Sequence, residues 1–142
     1  MNKGIALGLL VAAGLLCGSA QALNLSGEWK LVEGNSQGAL SGQPAHINRK
    51  AGDQHITGDA SEPALPFVLT VTSQKGNSFH GKWCGPKKCE KTVGVIRKDG
   101  TILMADDDST YLGTMYGSEM ELCVTQHGKA LRLAVCHMIE KK

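Results

Sequence analysis

Four of the five cysteines, five histidines, an acidic run and a group of lysines are the residues of this chain best suited to chemistry. Cys84-Gly85-Pro86-Lys87-Lys88-Cys89 places a Gly-Pro turn between two thiols. A hairpin with a four-residue loop would set those thiols opposite each other, within the separation a disulfide requires. Cys123 and Cys136 then remain as a pair by subtraction. The register expected for their hairpin sets Met120, Leu122 and Val124 against Val135, Leu133 and Leu131, which leaves the two cysteines about four residues apart along the strands, beyond disulfide reach without a bulge or bend. Catalytic thiol chemistry is not expected, because disulfides can consume all four sulfurs and the local spacing is C-x4-C rather than the redox C-x-x-C.

The histidines are His46, His55, His80, His127 and His137. If Ile47 pairs with Ile56, His46 and His55 share the outward face as diagonal neighbours. Two ligands are too few for zinc, so two solvated histidines are expected and no metal or other cofactor. Asp106-Asp107-Asp108-Ser109 lacks the glycine and distal glutamate of a calcium loop and reads as an acidic turn. There is no phosphate-binding glycine loop, no G-x-S-x-G and no H-E-x-x-H. Charge, in contrast, is segregated. From Lys75 to Lys98 there are seven basic residues against Glu90 alone, and from Asp99 to Glu121 six acids and no base. Such segregation suits electrostatic steering of a charged partner. Nucleic acid fits poorly, since the basic segment is short and poor in stacking aromatics.

The elements that position these residues begin with a leader. Lys3, an apolar run and a closing Ala20-Gln21-Ala22 make residues 1–22 a secretory signal peptide, too short in its apolar part to span a bilayer. Cys17 follows Leu16 rather than the small residue a lipobox wants, so no lipid or membrane anchor is expected. Residues 23–142 form a single domain with four cysteines, an even count that implies disulfides in an exported, periplasmic or secreted protein. Of 15 Lys and Arg, Lys3 leaves with the leader, so fourteen face 13 acids. Short alternating runs separated by Gly, Asn and Asp predict an all-β domain with strands over 25–32, 45–49, 54–58, 67–73, 78–84, 91–98, 101–105, 110–116, 119–126 and 130–137. Residues 34–44 and 59–66 read as irregular loops. Lys98-Asp99-Gly100-Thr101 is the strongest turn signal. A meander of about eight such strands hides its edges most readily by closing into an antiparallel barrel, a flattened sandwich being the alternative.

Gly27-Glu28-Trp29, on the first strand, resembles the calycins, whose tryptophan closes one barrel end under a basic residue from the last strand. That resemblance implies a closing role for Trp29, with Arg132 as its partner. The loop from Cys84 to Cys89 is similar to the C-x-P-x-x-C loop of the periplasmic inhibitors of vertebrate lysozyme, matching at Cys84, Pro86 and Cys89. Lys87 and Lys88 stand where that family has a histidine and an aspartate.

These readings converge on an exported, non-enzymatic binding protein that meets an envelope or host protein, such as a cell-wall or host hydrolase, through Pro86, Lys87 and Lys88. The alternative is a calycin-like carrier of a small apolar ligand inside the barrel. Only six aromatic residues are present, too few for a sugar-stacking groove or a tryptophan-lined vitamin pocket to be expected.

Overall fold

The computed structural model describes residues 23–44, 49–58 and 67–142. The expected leader, His46 with most of its expected strand, and the expected loop at 59–66 lie outside the described residues. The protein is all-β, with nine strands among the described residues: β1 (Gly27–Gly42), β2 (Gln54–Ile56), β3 (Val68–Lys75), β4 (Ser78–Cys84), β5 (Cys89–Ile96), β6 (Ile102–Ala105), β7 (Ser109–Tyr116), β8 (Glu119–His127) and β9 (Leu131–Lys141). Every pairing is antiparallel, and β1 meets β9, so eight strands close a barrel to which β2 adds. Closure removes the free edges that an open meander would expose.

The alternation expected of half-buried strands is plainest in β8, where Met120, Leu122 and Val124 point inward and Glu121 and Cys123 outward. Their partners on β9 are Ile139, His137 and Val135, and Cys123 stands directly opposite Cys136. The register is therefore shifted by four residues along β9 from that of a tight turn at His127-Gly128, and the last pair, His127 with Arg132, leaves a wider loop. The wider loop brings the second disulfide together without a bulge.

β1 departs most from expectation. It runs for 16 residues, through most of the stretch read as a loop. Its composition there is Gly, Ser, Asn and Gln, poor strand formers. Pairing supplies what propensity does not: Ser36–Gly42 bonds β9 along one edge, and Gly38–Leu40 bonds β2 along the other. The first half pairs with β3 instead. Between Leu31 and Ser36 the register with β9 shifts, and Gly34 adopts a positive φ of 75°, a conformation glycine takes without Cβ strain.

The barrel interior is packed with its own side chains. Phe79, Ile102, Met104, Met120, Leu122 and Ile139 are almost wholly buried, each contributing roughly 1.5–3 kcal/mol on leaving water. Gly94 faces inward where the Phe79 ring takes the space a side chain would need. One end is closed by residues 23–25 and Trp29. The Trp29 indole N–H donates to the Leu25 carbonyl (2.9 Å), and the Gln74 amide holds Leu23 and Leu25. The cation over Trp29 comes from the last strand, as the calycin likeness implies, but it is Lys141, with Nζ 5.7 Å from the ring centroid. Arg132 is not that partner. It is exposed and pairs with Ser41 and His127 near the opposite end, because β9 runs nine residues beyond it before reaching Trp29.

Candidate functional site

At the end opposite Trp29 the β4–β5 hairpin carries the tip. Cys84 and Cys89 form the last ladder pair and are joined by a disulfide. Inside that ring the Gly85 N–H donates to the Lys88 carbonyl (2.8 Å), so the loop is closed twice. Gly85 is required by its neighbour: a Cβ there would come within 2.7 Å of the Phe67 ring. Pro86, Lys87, Lys88 and Cys89 are exposed.

The two lysines differ. Lys88 Nζ lies 2.6 Å from Glu90 Oε1, and this hydrogen bond holds the ammonium above its ordinary pKa, with Asp107 and Asp108 adding to the attraction. Lys87 has no ion pair among the described residues and projects from the turn. Glu90 sits opposite Trp83 and faces inward, its side chain only 12% exposed.

A rigid platform lies beneath. Phe67 stacks on Trp83 with centroids 5.5 Å apart, and Tyr111 packs against Trp83 at 5.9 Å. The Tyr111 hydroxyl donates to Asp106 (2.5 Å); burial first, then that bond, push the phenol well above its usual pKa. Asp106 also accepts from the backbone of Asp108 and Ser109. The acidic turn is thus tied down by its own backbone and by Gln126, which donates to Asp108. Glu90, Asp106 and Asp108 bring carboxylate oxygens within 4.8 Å of one another. The Lys88 ammonium, bonded to Glu90, supplies positive charge at that cluster.

Comparison with known proteins gave no relative. No protein-family model, curated protein or solved structure matches the chain.

The remaining sequence candidates do not converge. His55 is exposed on β2, opposite Ala39 of β1. His137 lies inside the wall, where its Nδ1 and the Ser36 hydroxyl are hydrogen-bonded (2.7 Å) beside a groove lined by Gly34, Glu121 and Met138. Burial, aided by the Arg49 charge, pulls His137 down to about 4. The ring is therefore neutral at pH 7 and a weak base for any chemistry. The sequence did not reveal Glu90 as the anchor of Lys88, nor the clustering of Phe67, Trp83 and Tyr111. The signal for Glu90 was present in parity, since a ladder ending at Cys84 and Cys89 turns Trp83 and Glu90 to the same inner side. The two disulfides fit an oxidising compartment.

Proposed function

We propose that the chain is an exported binding protein that inhibits a cell-wall or host hydrolase, using the Cys84–Cys89 tip as its contact loop and Lys87 as the inserted group. The observation that carries this reading is the division of labour at the tip: Lys88 is held by Glu90 while Lys87 projects from a loop already closed by a disulfide and a backbone bond. Prior ordering of a loop lowers the entropy lost on binding, which is how small inhibitors gain affinity. An ammonium on such a loop suits a cleft with paired carboxylates, as in glycoside hydrolases. The likeness of the loop to periplasmic lysozyme inhibitors, with lysine at the inserted position, points to the same class of partner. The packed interior lends less support to an apolar-ligand carrier, which needs space inside the barrel.

Capture from envelope extract and from purified muramidases tests this. The wild-type protein is expected to retain and inhibit a hydrolase that a Lys87→Ala, Lys88→Ala double variant releases. Equal capture by both proteins, or none by either, would overturn the reading.

A further inference from the structure

One seam of the barrel wall is not a regular ladder. Leu31 of β1 pairs with Ile139 of β9, and Ser36 with His137, so Val32, Glu33, Gly34 and Asn35 stand against Met138 alone. An excess of residues on one strand bends it away from its partner, and irregularities of this kind gather beside functional sites. A cavity of about 270 Å³ opens at the seam. Bare backbone forms part of its rim, since a Cβ on Gly58 would run into the Gly34 carbonyl. Hydrogen-bonding side chains dominate the rest: Asn35, Ser36, Gln37, Glu121 and His137, with Cys136 and Met138 as apolar backing.

Glu121 is the one charged group among the described lining residues at neutral pH, because His137 is neutral there and Arg49, whose charge reaches His137, does not line the cavity. The carboxylate is half-buried on β8 and lies within 4.8 Å of the Cys123 and Cys136 sulfurs, an apolar surface. Its ladder neighbours Thr114 and Met138 carry no charge, and it has no ion pair among the described residues. A carboxylate partly removed from water and left without a counter-charge gains most from a cation that arrives with its own hydrogen-bond donors.

We propose that this cavity binds a small hydroxylated amine of the amino-sugar class, with the ammonium on Glu121 and the hydroxyls on Asn35, Ser36 and Gln37. The two amides each offer a donor and an acceptor, and the Ser36 hydroxyl has capacity beyond its bond to His137, which matches sugar hydroxyls that do both. The volume lies just below the roughly 300–1,000 Å³ of pockets for drug-sized ligands, so it suits a single sugar ring rather than a chain of them. The site shares no residue with the tip and does not depend on the partner proposed for it.

Nuclear magnetic resonance titration of the isotope-labelled protein with glucosamine tests this at about pH 6, where the amine is protonated and His137 stays neutral. Glucosamine is expected to bind with a Kd of about 1 mM, as a small ligand in an open site does, and to shift the amides of Gly34 to Gln37 and of Cys136 to Met138. Glucose and N-acetylglucosamine, which keep the ring without the charge, should bind at least about tenfold more weakly. Glu121→Gln, which preserves the shape of the side chain, should bring glucosamine down to the level of glucose, whereas Glu119→Gln on the same strand leaves it unchanged. The comparison of three sugars uses the wild-type protein alone, so it holds even if a substitution impairs folding. No shift at the seam with about 20 mM glucosamine, neutral sugars that bind as tightly, or a folded Glu121→Gln variant of wild-type affinity would overturn the proposal.

Discussion

The Lys88 ammonium lies 2.6 Å from the Glu90 carboxylate, and that contact distinguishes it from Lys87, which has no ion pair among the described residues. Replacing Lys87 by alanine is expected to weaken hydrolase binding at least about tenfold, roughly 1.4 kcal/mol. Lys88→Ala and Glu90→Gln should each cost less, through loosening of the loop. Surface plasmon resonance on the three single variants checks the order; a Lys88→Ala loss larger than that of Lys87→Ala would reverse the assignment.

Opening the tip should separate binding from folding. The Cys84–Cys89 disulfide closes a loop of only a few residues, worth about 2 kcal/mol in the chain-entropy account, whereas Cys123–Cys136 closes a longer one worth about 3 kcal/mol. Cys84→Ser with Cys89→Ser is expected to lose most binding and about 2 kcal/mol of stability. Cys123→Ala with Cys136→Ala should keep binding and lose about 3 kcal/mol, as read by urea unfolding beside the binding assay.

His137 makes stability depend on mild acid. Its folded pKa of about 4 lies below the 6.5 of an unhindered histidine, so between those values the unfolded chain binds the proton and the folded one does not. The contribution is fully present above pH 6.5 and is lost as pH falls toward 4, by about 3 kcal/mol at most. A His137→Gln variant, whose amide can still hydrogen-bond Ser36, should show a flatter profile over that window. Parallel profiles for variant and wild type would mean that the ring is solvated.

The closed end offers a contrast between two cations of the last strand. Trp29→Ala is expected to cost about 3–5 kcal/mol through the cavity it leaves. Lys141→Ala should cost about 0.5–1 kcal/mol, the range of a partly exposed cation over an aromatic ring. Arg132→Ala should stay within about 0.5 kcal/mol, as for most surface changes. Equilibrium unfolding of the three variants ranks them, and an Arg132 cost above that of Lys141 would contradict the assignment.

Much of this architecture was legible locally. Tyr116-Gly117-Ser118-Glu119 forms the expected two-residue turn, and Gly76 and Gly100 take the positive φ that their turns require. The strongest turn signal marked the right place with the wrong length: the Arg97 N–H bonds the Thr101 carbonyl, leaving a three-residue loop. What could not be read lay in long-range pairing. Nothing in Asn35-Ser36-Gln37-Gly38 favours a strand, and its partners His137 to Val135 are about a hundred positions away. The Cys123 register failed for a related reason, since several hairpin lengths bury the same aliphatic face and only the disulfide distinguishes them. At the tip the exposed residues were readable from the loop itself, while its acidic and aromatic support came from the flanking Trp83 and Glu90 and from two other segments, at Phe67 and at Asp106 to Tyr111.

The pairing of β1 with β9 sets an order on the protein's folding. Trp29 lies opposite Lys141, so the first and last strands are neighbours and the barrel cannot close until the final residues are free to pair. The β4–β5 hairpin, with its local disulfide, can form much earlier. A chain shortened before β9 would keep a finished tip on an open sheet with two raw edges, a template for aggregation rather than a smaller working protein.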